Sequence, residues 1–272
     1  MSHPTADQLA AAVGRAPARA GAFRPGDGAY VRGRRLHEAC RDWSWFEVYL
    51  LALTGREFAP AEVSLLQTLW TYTSYPDGRI WNNRVAALAG SARSAASLAV
   101  GAALAVSDAH IYGAGPFLEA HDFFLAHRDD DDAALLAAVR VQLATKRRVG
   151  GYGRPVTAAD ERIAPILARA RALGLDDGHF LQLALRVERL LLAGRWRMQM
   201  NYAAPVAALC LDLGLDRMQC EAFASTIFLA GMPAVWIEAA RQRPAGSFLP
   251  LPSRILSYEG PPPRPWPRSA AQ

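Results

Sequence analysis

Cysteine is scarce in this sequence, and so are charge and long apolar runs. Cys40, Cys210 and Cys220 are its three cysteines, none of them in a CxxC or CxxH pair. That excludes a disulfide framework and a cysteine-built zinc site, predicts no bound metal, and fits a reducing, cytoplasmic compartment. Charged residues make up only 20% of the 272, with a formal net charge of +5 and a pI near 9.4. The basic side chains are scattered rather than interleaved with aromatics in one block, so the footprint of a nucleic-acid binder is missing. The uncharged run between Arg93 and Asp108 has 14 residues, short of the roughly 20 that cross a bilayer, and no membrane partner is expected. Residues 1–28, rich in Ala, Arg and Pro, lack the contiguous apolar core of a signal peptide and read as a flexible leader. No segment alternates apolar and polar residues as a half-buried strand does.

What fills the chain is helix. Hydrophobic residues reach 51%, enough for one large core or two modest ones. Phe46, Tyr49, Leu50 and Leu53 form one apolar face that stops at Gly55; Pro60 opens the next, with Val63, Leu66 and Trp70. From Arg84 to Val106 small residues lie nearly all round, which predicts a single buried or interface helix. The acidic cluster Asp129 to Asp132 opens a helix that closes on Lys146, Arg147 and Arg148, an order that complements the helix dipole. Four adjacent carboxylates point around a helix start rather than converge, so the cluster reads as a cap and not as a metal site. Phe180 to Ala193 closes at Gly194, and a last helix runs from Asp216 to about Arg241. The tail GSFLPLPSRILSYEGPPPRPWPRSAAQ is proline-rich and reads as an extended arm.

One stretch points to chemistry. VGGYGRPVTAADERIAPIL, Val149 to Leu167, is a glycine turn (Gly150, Gly151, Gly153) leading through Thr157 and Asp160 as capping residues into a helix with Ile163, Leu167 and Ala170 on one face. Such a turn offers backbone N–H groups to a phosphate. Arg154 stands at its tip. Its side chain stays protonated at any working pH, so it reads as an anion binder and not as a proton shuttle.

The order of the pieces carries the reading further. YVRGRRLHEACRDWSWFEVYLLALTGREFAPAEVSLLQTLW, then WNNRVAALAGSARSAASLAVGAALAV, GYGRPVTAADERIAPILARARALGL, MNYAAPVAALCLDLGL and AGMPAVWIEAARQ resemble, from about Tyr30 to Pro261, the citrate synthase and citryl-CoA lyase family. The resemblance implies an all-α, citrate synthase-like fold with a large and a small helical domain. The large domain is expected at 29–115 and 223–272, the latter with a C-terminal arm, and the small domain at 116–222. It also implies a homodimer, a cleft completed by an arm of the partner subunit, and coenzyme A lying against the small domain. No permanently bound cofactor is implied; a coenzyme A thioester would be a co-substrate.

The departures from the family pattern are pointed. Where the family has the histidine of a His-Gly-Gly motif, DAHIYGAGPFLEA puts Tyr112. Where its second histidine closes a Gly-Phe-Gly-His turn, GYGR puts Arg154. The aspartate base of an Asn-Val-Asp motif matches Ala203 in MNYAA, and a further substrate-holding histidine matches Ser74. Two substrate-binding arginines match Phe228 and Ala158. A proton alpha to a thioester needs a positioned base and a donor for the enolate oxygen, each worth roughly 10²–10⁴ in rate, and an alanine supplies neither. Ordinary citrate synthase activity is therefore not expected.

The catalytic candidates are Tyr112, Arg154, His110 and Asp77. Ser74, Trp81, Asn201, Tyr202, Phe228 and the arm's Arg254 are candidates for substrate binding, and Arg148, Gly151, Tyr152 and Gly153 for coenzyme A. Two functions follow. One is an atypical enzyme of specialised metabolism that acts on an acyl thioester of coenzyme A or a carrier protein, making or breaking a C–C bond with a partner other than oxaloacetate. The other is a non-catalytic relative that binds a ligand or regulates an active family member.

Overall fold

A computed structural model describes residues 5–14, 17–73, 75–154, 159–242, 253–255, 257–262 and 264. Helix α1 (Ala6–Ala12) is capped by Thr5, whose hydroxyl accepts the N–H of Gln8. Strands β1 (Gly21–Arg24), β2 (Gly28–Val31) and β3 (Arg34–Arg35) form a small antiparallel sheet in the order β1-β2-β3, with Gly21 opposite Val31 and Tyr30 opposite Arg35. Twelve more helices follow: α2 (Leu36–Ala39), α3 (Trp45–Thr54), α4 (Pro60–Thr71), α5 (Trp81–Ser91), α6 (Ala96–Ser107), α7 (Ala114–Ala126), α8 (Asp132–Lys146), α9 (Ile163–Ala172), α10 (His179–Ala193), α11 (Ala203–Asp212), α12 (Arg217–Thr226) and α13 (Gly231–Arg241).

Local signals set many of these boundaries. Ser44 and Glu47 exchange hydrogen bonds in a capping box at the start of α3, and Gly55 ends that helix at φ +78°, where a Cβ would be strained. Pro60 is the first residue of α4. The Asp131 carboxylate caps α8 by accepting the Ala134 N–H at 2.8 Å, the capping role expected of the acidic cluster.

Four expectations are corrected. The segment expected as one helix from Arg84 to Val106 is two, α5 and α6, turned at Arg93 with φ +63°. Tertiary contacts hold that turn: Arg93 donates to the carbonyl oxygen of Gln242 at 2.9 Å, and the Trp236 indole donates to that of Ser94 at 3.0 Å. The small residues of α5 serve close packing on α13, so tight that a Cβ on Gly90 would overlap the Trp236 carbonyl. The helix expected from Asp216 to Arg241 is also two, α12 and α13, with Ile227–Ala230 between them. Its uncharged run 222–237 is longer than the one at 94–107. The stretch Arg217–Arg241 is long and apolar enough, with a mean hydropathy of 1.5, to cross a bilayer; here Cys220, Phe223, Met232 and Val235 bury one side of it in the protein. Strands exist after all, within and beside the segment read as a leader. Both β1 and β3 are exposed on every residue, so no buried face imprints an alternating pattern.

The division expected at 115/116 and 222/223 falls inside α7 and α12. One contiguous core joins Phe46, Leu50, Leu66 and Leu69 of α3 and α4 to Phe124, Val187, Leu209 and Phe223. A second, smaller core holds Ala86, Ala103, Met232 and Val235 of α5, α6 and α13. The half-buried Phe228 packs against both.

Candidate functional site

A cavity of about 540 Å³ opens where the ends of several elements meet: the loop before α5, the turn before α7, the glycine turn, the start of α9, and the start of α11. Its polar centre is Asp160, whose side chain is 0% exposed. The carboxylate accepts the Arg162 Nε and Nη2 at 2.8 and 2.7 Å, and the backbone N–H of Tyr202 at 3.0 Å. Burial pushes the Asp160 carboxyl upward, but the hydrogen bonds and charge of Arg162 outweigh it and hold the group below the ordinary carboxylate range. Arg162 also lies over the Tyr202 ring at 4.4 Å, and burial drives the Tyr202 phenol well up.

Arg154 lines the cavity, with its side chain 27% exposed. It is not a bare cation at a tip, because its Nη1 donates to Glu161 at 2.8 Å and to the Ala159 carbonyl at 3.1 Å. Tyr112, Trp81, Asn201, Tyr202 and Phe228 also reach the cavity. Tyr112 stands on a turn closed by a bridge between Asp108 and Gly113, and its ring is 5.8 Å from that of Trp81. Asn201 is largely a clamp: its Nδ2 donates to the Gly153 carbonyl at 2.8 Å and its Oδ1 accepts the Ala203 N–H at 3.0 Å.

Other candidates fall elsewhere. His110 is exposed and does not line the cavity, nor does Asp77. The Asp77 carboxylate is gripped by Arg79 at 2.7 Å, and that hydrogen bonding lowers it to about 2, which makes it a poor base. Arg254 is exposed in a short 3₁₀ turn, Ser253–Ile255, and does not line this cavity of its own chain; the family resemblance assigns it to the site of a partner subunit. Ser74, Thr157 and Ala158 lie outside the described residues. Asp160 is no helix cap: α9 starts only at Ile163, and the carboxylate turns toward Arg162 and α11 instead.

The glycine turn is corrected as a phosphate cradle. The Tyr152 and Gly153 N–H groups donate to the carbonyls of Val149 at 3.1 Å and Gln199 at 2.7 Å, so they are spent inside the fold. Tyr152 is buried with its hydroxyl donating to the Ala184 carbonyl at 2.8 Å. The glycines admit close approach of protein, not of ligand: a Cβ on Gly150 would meet the Glu119 Cβ at 2.6 Å, and one on Gly151 would meet Ala204 at 2.7 Å. Arg148 is held by Glu119 at 2.7 Å.

The sequence reading missed Arg162, which lines the cavity together with Arg79. A signal for it exists. Asp77-Gly78-Arg79 and Asp160-Glu161-Arg162 share the same spacing, and in both the aspartate accepts the arginine's own N–H, at 2.8 and 3.2 Å, as well as its guanidinium.

This sequence matches no protein-family model and no curated protein. Solved structures do resemble the fold. Citryl-CoA lyase from Hydrogenobacter thermophilus superposes with a TM-score of 0.82 over 93% of this chain and 98% of that one, at 20% identity. ATP citrate lyase from Methanothrix soehngenii, solved with citrate and coenzyme A, gives a TM-score of 0.73 over 96% of this chain and 45% of that one, at 16% identity. Citrate synthase from Thermotoga maritima gives 0.67 over 83% and 60%, at 18% identity. At such identities the shared property is the fold. The chain is an all-α protein of the citrate synthase-like fold, the architecture expected from its sequence.

Proposed function

We propose that the protein is an atypical enzyme on the citrate synthase scaffold, acting in the cytoplasm on an acyl thioester of coenzyme A or a carrier protein. It makes or breaks a C–C bond with a partner other than oxaloacetate, in specialised metabolism. The observation that carries this reading is the convergence of Tyr112, Arg154 and Arg162 on one cavity of a fold shared with a citryl-CoA lyase and a citrate synthase. In the cleavage direction the C–C bonding pair passes to the thioester α-carbon, a ketone departs, and the alcohol's proton is relayed through the Tyr112 hydroxyl to that α-carbon. Guanidiniums suit the developing enolate or a carboxylate, and the Tyr112 hydroxyl is the group placed to move a proton. The cavity-lining carboxylate Asp160 is already engaged by Arg162. The exposed Lys146 and Arg147 at the end of α8 suit the phosphates of coenzyme A as a co-substrate.

A titration calorimeter tests this directly. Coenzyme A and a set of acyl-CoAs should bind at micromolar Kd, and Arg154→Ala should weaken binding of the acyl-CoAs by about tenfold, the effect of one charge-assisted hydrogen bond. No binding to any of them would end the coenzyme A reading and leave a carrier-bound thioester.

One observation favours a regulatory or ligand-binding subunit as the second reading. Ala203 faces the cavity where the family resemblance places a base, and no imidazole lines it among the described residues. Loss of turnover in Tyr112→Phe would speak for the enzyme; a change in binding with no turnover in either form would speak for the subunit.

The family resemblance also implies a homodimer, and α6 supports it. This helix carries no charged residue, Leu98 is 70% exposed on it, and the site of a Gly101 side chain is open. In sedimentation, the protein should run as a dimer and Leu98→Glu should shift it to the monomer. An unchanged dimer would place the interface elsewhere.

A further inference from the structure

The lining of the cavity is of two chemically different kinds, and together they select a ligand. Each guanidinium in it is already matched by a carboxylate close by in the sequence: Arg79 by Asp77 at 2.7 Å, Arg154 by Glu161 at 2.8 Å, and Arg162 by Asp160 at 2.7 Å. The cluster is therefore balanced, charge for charge. A guanidinium carries five N–H donors in a fixed fork, so these side chains keep directional hydrogen bonds for an incoming carboxylate. A second carboxylate would enter a group with no surplus positive charge, beside the fully buried carboxylate of Asp160, which it would repel. Trp81 and Tyr112 form a tilted aromatic pair with centroids 5.8 Å apart in the same lining, and Phe117, Ile227 and Phe228 add to that apolar wall. Only the Tyr112 hydroxyl and the Trp81 indole N–H interrupt that wall with polar atoms.

We propose that the second ligand of this site is a monocarboxylate bearing an aryl or branched alkyl group, of the 2-oxo acid kind, and not a dicarboxylate. The carboxylate lies among the Arg154, Arg162 and Arg79 forks, and the apolar group packs against Trp81, Tyr112 and Phe228. The inference deepens the thioester reading, on which it rests for the 2-oxo group that a thioester enolate would attack.

Titration calorimetry of the full chain with phenylpyruvate, 4-methyl-2-oxopentanoate, pyruvate and oxaloacetate, each with and without saturating coenzyme A, tests it. Burying a phenyl or isobutyl group predicts that the first two bind about 10- to 100-fold more tightly than pyruvate. Oxaloacetate should bind no more tightly than pyruvate. Trp81→Ala should weaken phenylpyruvate about tenfold and leave pyruvate within twofold; Phe228→Ala provides the same comparison should the first variant fail to fold. Oxaloacetate binding as tightly as phenylpyruvate, or no acid binding at all, would overturn the proposal. The two readings fail separately. Coenzyme A that does not bind, with the preference for phenylpyruvate intact, supports this inference and ends the coenzyme A reading. Coenzyme A that binds, with oxaloacetate preferred, does the reverse.

Discussion

Asp160→Asn should lower stability at neutral pH by about 3–5 kcal/mol, the cost of leaving a half-buried guanidinium without its partner. The substitution keeps the shape of the side chain but removes the charge that faces Arg162 at 2.7 Å and Arg154 at 3.8 Å. The pH dependence separates charge from packing. The folded Asp160 carboxyl sits below its unfolded value of about 3.9, so its contribution is fully present above that value and is lost as pH falls through the folded one. Urea melts of the two proteins should therefore differ widely at pH 7, and the gap should narrow as the pH is taken below about 3.9. A gap that stays constant with pH would mean that the asparagine disturbs packing and that the ion pair contributes little.

Gly113→Ala should be nearly as damaging, by about 2–5 kcal/mol, which lowers Tm by roughly 5–15 °C in a chain of this size. Gly113 has φ +68°, and a Cβ there would overlap the Ser107 carbonyl, a backbone atom with little freedom to move. The strain would spread. The Ser107 hydroxyl donates to the Ala103 carbonyl at 2.8 Å and accepts the Asn82 Nδ2 at 3.0 Å, and Asn82 lines the cavity beside Trp81. Tyr112, the preceding residue, would shift with the turn, so the variant should lose ligand binding even at temperatures where it remains folded. Thermal melting and titration on the same preparation check both halves. A variant that melts like the parent would show that the turn relaxes easily and that Tyr112 is not held by it.

How much of this was legible in the sequence depended on how local the cause was. Caps and stops at Ser44, Gly55, Pro60 and Asp131 act within a few residues of themselves, and they sit where their residue types predict. The break at Arg93 has tertiary causes, so a continuous run of small residues hid it; the one at Ile227–Ala230 is marked by Gly231 and Pro233 just after it, a local signal inside an otherwise apolar run. Glycines have several uses that one sequence does not separate: those at 150 and 151 read as a phosphate cradle, whereas the structure uses them to let the turn touch α7 and α11. The same ambiguity concealed Arg162. With Asp160 assigned to a helix cap, the Asp-x-Arg spacing it shares with Asp77 and Arg79 was the one pointer to the arginine two residues on, although Tyr112, Arg154, Trp81, Asn201, Tyr202 and Phe228 all reach the cavity. His110 and Asp77 were chosen for being titratable and near in sequence; the turn faces the one to solvent, and Arg79 occupies the other.

Phe228 touches the two larger hydrophobic cores, and the cavity it lines lies on the seam between them, with Arg162 on the larger side and Trp81 at the start of α5 on the smaller. A ligand that fills this space acts as a keystone. It joins two separately packed blocks, so the free energy with which it binds is also the free energy that makes them melt as one.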